Sequence, residues 1–195
     1  MKKYLLIGVA ALALFAVVGG AKYNQLVPLE EKVNFSYSEV QNQLKRQADL
    51  IPNLAEVAKG YMNSEQKTMI EVAAARAGEA AKIKPADVAN NPKLQEKLIE
   101  AQKSTASVLV TMNSVREQYP QLKADGQINR LMTSLEGTQN RVTVARHNNQ
   151  KTVNEYNLEV RQFPGNVVAL LVGFKKLPYF EAGEDAQNAT KLNFK

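Results

Sequence analysis

Two hydrophobic patterns divide the chain. From residue 5 to residue 21 every residue is apolar or glycine, without a charge or a strongly polar group. After Tyr23 the apolar positions instead recur at steps of three and four, the period of a helix with one buried face.

The first such stripe is Leu26, Leu29, Val33, Tyr37, Val40, Leu44, Ala48, Ile51, Leu54, Ala58 and Tyr61. It predicts a helix of about 36 residues, or about 54 Å. Pro28 sits in a first turn or kinks the join to the apolar run; Pro52 removes a backbone donor inside the stripe. The stripe keeps its phase across Pro52, which predicts a kinked helix and not a turn.

Asn63 followed three residues later by Gln66 has the form of a capping box, so a second helix is expected to start there. Its face reads Met69, Val72, Ala73, Arg76, Ala77 and Ala80. Residues 82–91 read as a loop, and Asn91-Pro92 as the start of a third helix. The third stripe is Leu94, Leu98, Ala101, Thr105, Val108, Met112, Val115 and Tyr119, ended by Pro120. After a turn at Asp125-Gly126 comes the fourth: Ile128, Leu131, Leu135, Thr138, Val142, Ala145, Asn149, Val153, Tyr156, Val160 and Phe163. Pro164-Gly165 ends it.

No strand-length alternation competes with these stripes. The expected fold is all-α: an N-terminal transmembrane helix followed by an antiparallel, up-and-down four-helix-type bundle with long helices. The expected organisation is an anchor over 1–22, a helical bundle over 23–180 and a mobile polar tail over 181–195.

The first and fourth stripes match in length, while the helices over 63–81 and 92–119 are shorter. The long pair must outrun the short pair at one end, leaving apolar surface that needs a cover. An identical subunit, the segment 167–174 or a membrane surface would serve. The shared membrane plane favours the identical subunit, and hence a homo-oligomer.

The apolar run of 17 residues makes a helix of about 25 Å, near the lower limit for crossing a bilayer. Tyr4 and Tyr23 stand at its ends, where amphipathic rings favour the headgroup level. A cleavable signal peptide, with Gly19-Gly20-Ala21 as its cleavage site, is the competing reading. The uncleaved anchor is preferred because the run is long and flows into a helical pattern without a polar break. Ala16 and Gly20 form a small-xxx-small pair through which two anchors could approach. Lys2 and Lys3 precede the span, whereas Lys22 and Lys32 follow it among Glu30 and Glu31. That bias puts the N-terminus inside and the bundle outside the cytoplasm.

Residues 167–172 with Phe174 form a second apolar segment, followed by Lys175-Lys176. It is too short to span a bilayer. A terminal helix packed back on the bundle is expected, with contact to a membrane surface or a neighbouring subunit as the alternative.

With 45% apolar and 23% charged residues, the chain can bury a core. Its net charge of +6 falls to +4 once Lys2 and Lys3 are assigned to the anchor (6 − 2 = 4). The basic residues are scattered, with no basic run interleaved with aromatics, so no nucleic-acid partner is expected. There is no cysteine, which excludes disulfides, thiolate metal sites and a cysteine nucleophile.

Candidate chemistry is sparse. His147 is the single histidine, and the residue three before it is Val144, not the glutamate of a carboxylate-bridged metal bundle. It reads as exposed. No phosphate-binding or dinucleotide-binding glycine pattern occurs. Glu30-Glu31 and the acidic residues of 181–185 read as solvated charge, and Tyr37, Tyr61, Tyr119 and Tyr156 as core or seam aromatics. Arg141, Arg146 and Lys151 surround a stripe that also holds Asn149. They read as a structural polar layer, with partner recognition as the alternative. No catalytic, cofactor-binding or metal-binding residue is expected.

The motifs Tyr23-Asn24-x-Leu26-Val27, Asp49-Leu50-Ile51-Pro52-Asn53-Leu54, Lys59-Gly60-Tyr61 and Tyr119-Pro120-x-Leu122-Lys123-Ala124 occur in this order. Asn140-Arg141-Val142, Ala145-Arg146, Val153-x-x-Tyr156-Asn157 and Phe163-Pro164 follow. Together they resemble the LemA family of bacterial proteins, from Tyr23 to about Phe180. One departure is Asn149-Gln150, where the family usually has an aromatic-Asn pair. The resemblance implies a membrane helix, a small helical bundle and no established enzymatic activity. It often goes with a bundle inside the cell, against the charge argument.

The expected function is therefore a membrane-anchored scaffold or interaction protein of the bacterial envelope, single-pass in the cytoplasmic (inner) membrane, self-associating and not an enzyme. Other envelope proteins are its expected partners. The alternatives are an enzyme with an unfamiliar carboxylate/arginine site, and a secreted interaction protein released after Ala21.

Overall fold

The computed structural model describes residues 2–89 and 91–180. The expected polar tail, 181–195, lies outside them, as does Asn90 of the expected loop. Among the described residues seven α-helices form: α1 (Lys2–Ala58), α2 (Ser64–Lys82), α3 (Pro85–Ala89), α4 (Pro92–Gln118), α5 (Pro120–Ala124), α6 (Gly126–Arg161) and α7 (Gly165–Val172). A 3-10 turn over Lys59–Tyr61 closes α1, and no strand occurs among the described residues.

Helix α1 is one continuous element of 57 residues that passes through both Pro28 and Pro52. At 1.5 Å per residue it is about 85 Å long. The apolar run and the first stripe are thus one rod. Its N-terminal part is long and apolar enough to cross a membrane, with a mean hydropathy of 2.3 over its best 18 residues, all unburied.

The other helix starts follow from local chemistry. Asn63 Oδ1 accepts from Gln66 N at 2.8 Å and Asn63 N donates to Gln66 Oε1 at 3.0 Å, a complete capping box. Asn91 caps α4 ahead of Pro92. Asp125 Oδ1 accepts from Gln127 N and Ile128 N, placing a carboxylate at the positive end of α6.

Helices α1, α2, α4 and α6 form an up-and-down bundle. Helix α1 lies between α6 and α2, and α2 packs on α4. Cross-links Lys22–Glu159, Ser36–Asn149, Gln43–Arg141 and Gln47–Gln139 fix the antiparallel register of α1 and α6.

The stripes are buried largely as read, with three corrections. On α2 the buried face is Ile70, Ala73, Ala77 and Ala80; Met69 is partly buried, while Val72 and Arg76 are exposed. The alanine-rich sequence offers little contrast between faces. The loop over 82–91 contains α3, which buries Val88 in the core. Phe163, read as the end of the fourth stripe, is 81% exposed because α6 stops at Arg161.

The long pair does outrun the short pair, at the end near the apolar run. The chain covers the excess itself. After α7 the segment 173–180 doubles back as a strap, and Val168, Ala169, Leu177 and Phe180 join the core around Leu26, Val33 and Tyr37. Leu26, Val33 and Tyr37 are fully buried. The stripe therefore supplies no argument for a second subunit. Residues 167–172 form the expected terminal helix.

Candidate functional site

The core is divided. One cluster, near the apolar run, reaches Leu44, Ala101 and Val142; the other, toward the far end, starts at Ile51, Val108 and Leu135. Between them lie Gln47, Thr105 and Thr138, all fully buried. Thr105 Oγ1 donates to Gln47 Oε1 at 3.2 Å, and Gln47 Nε2 donates to Gln139 Oε1 at 2.7 Å. Gln139 Nε2 continues to the Gln102 carbonyl at 3.1 Å, and the Gln102 amide to Thr143 Oγ1 at 3.0 Å. This polar layer ties α1, α4 and α6 together. Sequence reading placed Thr105 and Thr138 on stripes but missed all three glutamines, which flank the stripes and look like surface residues.

The three basic residues around Asn149 do not converge. Arg141 is exposed and bonds Gln43 Oε1 and Thr138 Oγ1 on the α1 side. Arg146 turns to the α4 side, where it donates to Gln102 Oε1 and lies 5.1 Å from the centre of the Phe180 ring. Burial lowers its pKa from the usual arginine value. Lys151 is exposed. Asn149 itself is fully buried and donates to Ser36 Oγ at 2.8 Å, while its Oδ1 has no protein partner.

The strap is latched by amides. Asn157 donates to the Leu177 carbonyl at 2.9 Å and accepts from the Leu177 N–H at 2.8 Å. Gln150 donates to the Phe180 carbonyl at 2.8 Å, and Gln95 reaches the Pro178 carbonyl at 3.4 Å while also donating to the Tyr37 hydroxyl of α1 at 3.0 Å. Burial pushes Tyr37 up to about 12 against the Gln95 bond. Tyr156 is also pushed up to about 12, by burial first and then by Glu30. Tyr61 and Tyr119 form a different feature: they are partly exposed and meet edge-on at 5.3 Å, at the far end of the bundle.

His147 is exposed. Among the described residues no three His, Cys, Asp or Glu side chains group as metal ligands would. Glu117 and Glu155 have pKa values held below the ordinary one by hydrogen bonds from Lys123 and Lys32, and both are at the surface.

An exposed apolar surface lies elsewhere. It comprises Leu5, Leu6, Leu12 and Leu14 of the apolar run, together with Phe163, Leu170, Leu171 and Val172 around α7. Helix α7 stands beside the last part of that run, with Val168 Cγ2 3.9 Å from where a side chain on Gly19 would begin. Ala16 and Gly20 line the cleft between them, so this small-residue pair borders the chain's own α7.

The family model described as the LemA family matches residues 36–194, which hold most of the bundle and the strap. The chain belongs to the LemA family. Within it, "Magnetosome protein MamQ 2" and "Magnetosome protein MamQ 1" of Paramagnetospirillum magneticum are each similar to this chain. Each is 23% identical over 193 aligned residues, covering 91% of this chain and 71% of the relative. "Magnetosome protein MamQ" of Magnetospirillum gryphiswaldense is 22% identical over 192, covering 90% and 71%. The LemA match includes the polar layer and the strap latch, and begins beyond the apolar run.

Proposed function

We propose that this LemA-family chain is a membrane-anchored helical scaffold of the bacterial envelope, working by binding other proteins and not by catalysis. The observation that carries this reading is the continuity of α1, which runs from the unburied apolar run into the bundle core without a break. A rod of that kind couples the bundle rigidly to the bilayer. From residue 22 to Ala58 it holds the far end about 55 Å from the anchor. There the Tyr61–Tyr119 pair offers partly exposed aromatic surface of the type that binding partners use.

In this reading the protein is single-pass in the cytoplasmic membrane, with Lys2 and Lys3 inside and the bundle outside. Self-association belongs to the proposal through the exposed anchor surface, since the bundle stripe is covered within the chain. Protease added to intact spheroplasts tests the topology: digestion beyond Tyr23 is expected, and protection until the membrane is opened reverses it. Cross-linking in intact membranes followed by sizing tests the scaffold role. A strictly monomeric protein with no co-purifying partner contradicts it.

A further inference from the structure

Helix α7 has one face in the core and another with no cover. Val168 and Ala169 are buried, while Leu170 and Leu171 are 83% and 70% exposed and Val172 and the nearby Phe163 are exposed as well. Such a patch on a short helix needs an occupant. Its position says which one.

The anchor residues beside α7 are Phe15, Gly19 and Tyr23, across an apolar cleft of about 290 Å³ from Val168, Leu171 and Val172. Phe15 and Gly19 belong to the apolar run and lie within about 9 Å of its end. If the run is in hydrocarbon, whatever touches those two residues is in or at the edge of hydrocarbon too. We infer that α7 is inserted in the leaflet beside the anchor, its outer face and the cleft occupied by lipid acyl chains. The inference rests on the anchored reading above.

The ends of the helix suit that place. Three backbone donors at its start are paired inside the chain: Asn166 N to the Gln162 carbonyl at 2.8 Å, and Val167 N and Val168 N to the Pro164 carbonyl at 3.1 and 3.4 Å. Gly173, in the left-handed region at φ +96°, closes the other end with its N–H on the Ala169 carbonyl at 2.8 Å. Unpaired donors would oppose insertion. At the expected headgroup level the Tyr23 and Phe174 rings meet at 6.1 Å, and Arg161, Lys175 and Lys176 are exposed nearby in sequence. Eight residues make a helix of about 12 Å, enough to dip into one leaflet and not to cross two. Anchor and α7 together give the bundle two attachments to the bilayer, which fixes its rotation as well as its distance.

The chain has no cysteine, so single labels can be placed cleanly. Leu12→Cys, Leu171→Cys and Val144→Cys would each carry an environment-sensitive fluorophore in the full-length protein. Each is reconstituted in phosphatidylcholine–phosphatidylglycerol vesicles with nitroxides on the acyl chains. The expected result is loss of emission at positions 12 and 171 to similar extents, with little at Val144 on the outside of α6. Loss at 12 but not at 171, with 171 open to aqueous iodide, keeps the anchor and overturns the insertion. The same result with 171 shielded from iodide puts a protein partner, such as a second copy, on α7 and also overturns it. Loss at neither position removes the anchored reading and the inference with it.

Discussion

Asn157 holds Leu177 by both of its backbone groups, donating to the carbonyl at 2.9 Å and accepting from the N–H at 2.8 Å. The side-chain amide carries a donor and an acceptor side by side, so it can pair with both the C=O and the N–H of one residue. Leu177 is buried, so each backbone group needs a partner. Asn157→Ala leaves two orphans, each costing about 1–3 kcal/mol while the strap stays in place. The strap is expected to release first. Hydrogen exchange read peptide by peptide should rise over 174–180 while α2 and α4 keep their protection. Uniform loss of protection would mean that the strap and bundle unfold as one.

The buried Asn149–Ser36 bond supports a second prediction. Ser36→Ala removes the acceptor of the Asn149 N–H group and leaves both ends of the amide without a protein partner. A loss of about 1–3 kcal/mol in urea unfolding is expected. Adding Asn149→Leu removes the orphaned amide and should recover most of that loss. A double variant no more stable than Ser36→Ala would contradict this account.

Alkaline pH gives a third. Tyr37 and Tyr156 are neutral in the fold up to about 12, against an ordinary value of 10.0. The unfolded chain ionises first and so binds fewer protons between those values. The stability contributed by the neutral buried rings is complete below pH 10.0 and is lost as pH rises toward 12. Tyrosinate absorbance should show two of the seven tyrosines titrating late and together with loss of helical signal. Phe at position 37 or 156 should soften that alkaline loss. Simultaneous titration of all seven below the unfolding transition would contradict it.

What was legible in the sequence was what helical periodicity encodes. The stripes through Val33, Leu98 and Val142 carry strong apolar contrast and all three residues are buried. Caps at Asn63 and Asn91 were equally plain, because each is a local bond between neighbours in the chain, whereas Asp125 read only as a turn residue and proves to cap α6. Alanine-rich α2 hid Ile70, and α3 and α5 are too short for a period to register. The strap was beyond reach for another reason. Its contacts, such as Gln150 with Phe180 across 30 residues, depend on where α6 ends and α7 turns. The same holds for Gln47 and Gln139, 92 residues apart, whose amides pair only once α1 and α6 are in register.

The account stands or falls on the uncleaved rod. Membranes containing the full-length protein should be washed with alkaline carbonate, and the N-terminal peptide of the retained protein identified by mass spectrometry. The account predicts that the protein stays in the membrane pellet with Met1-Lys2-Lys3 intact, and that deletion of 2–21 moves it to the supernatant still helical. Release of the full-length protein by the wash, or a mature N-terminus at Lys22, would contradict it.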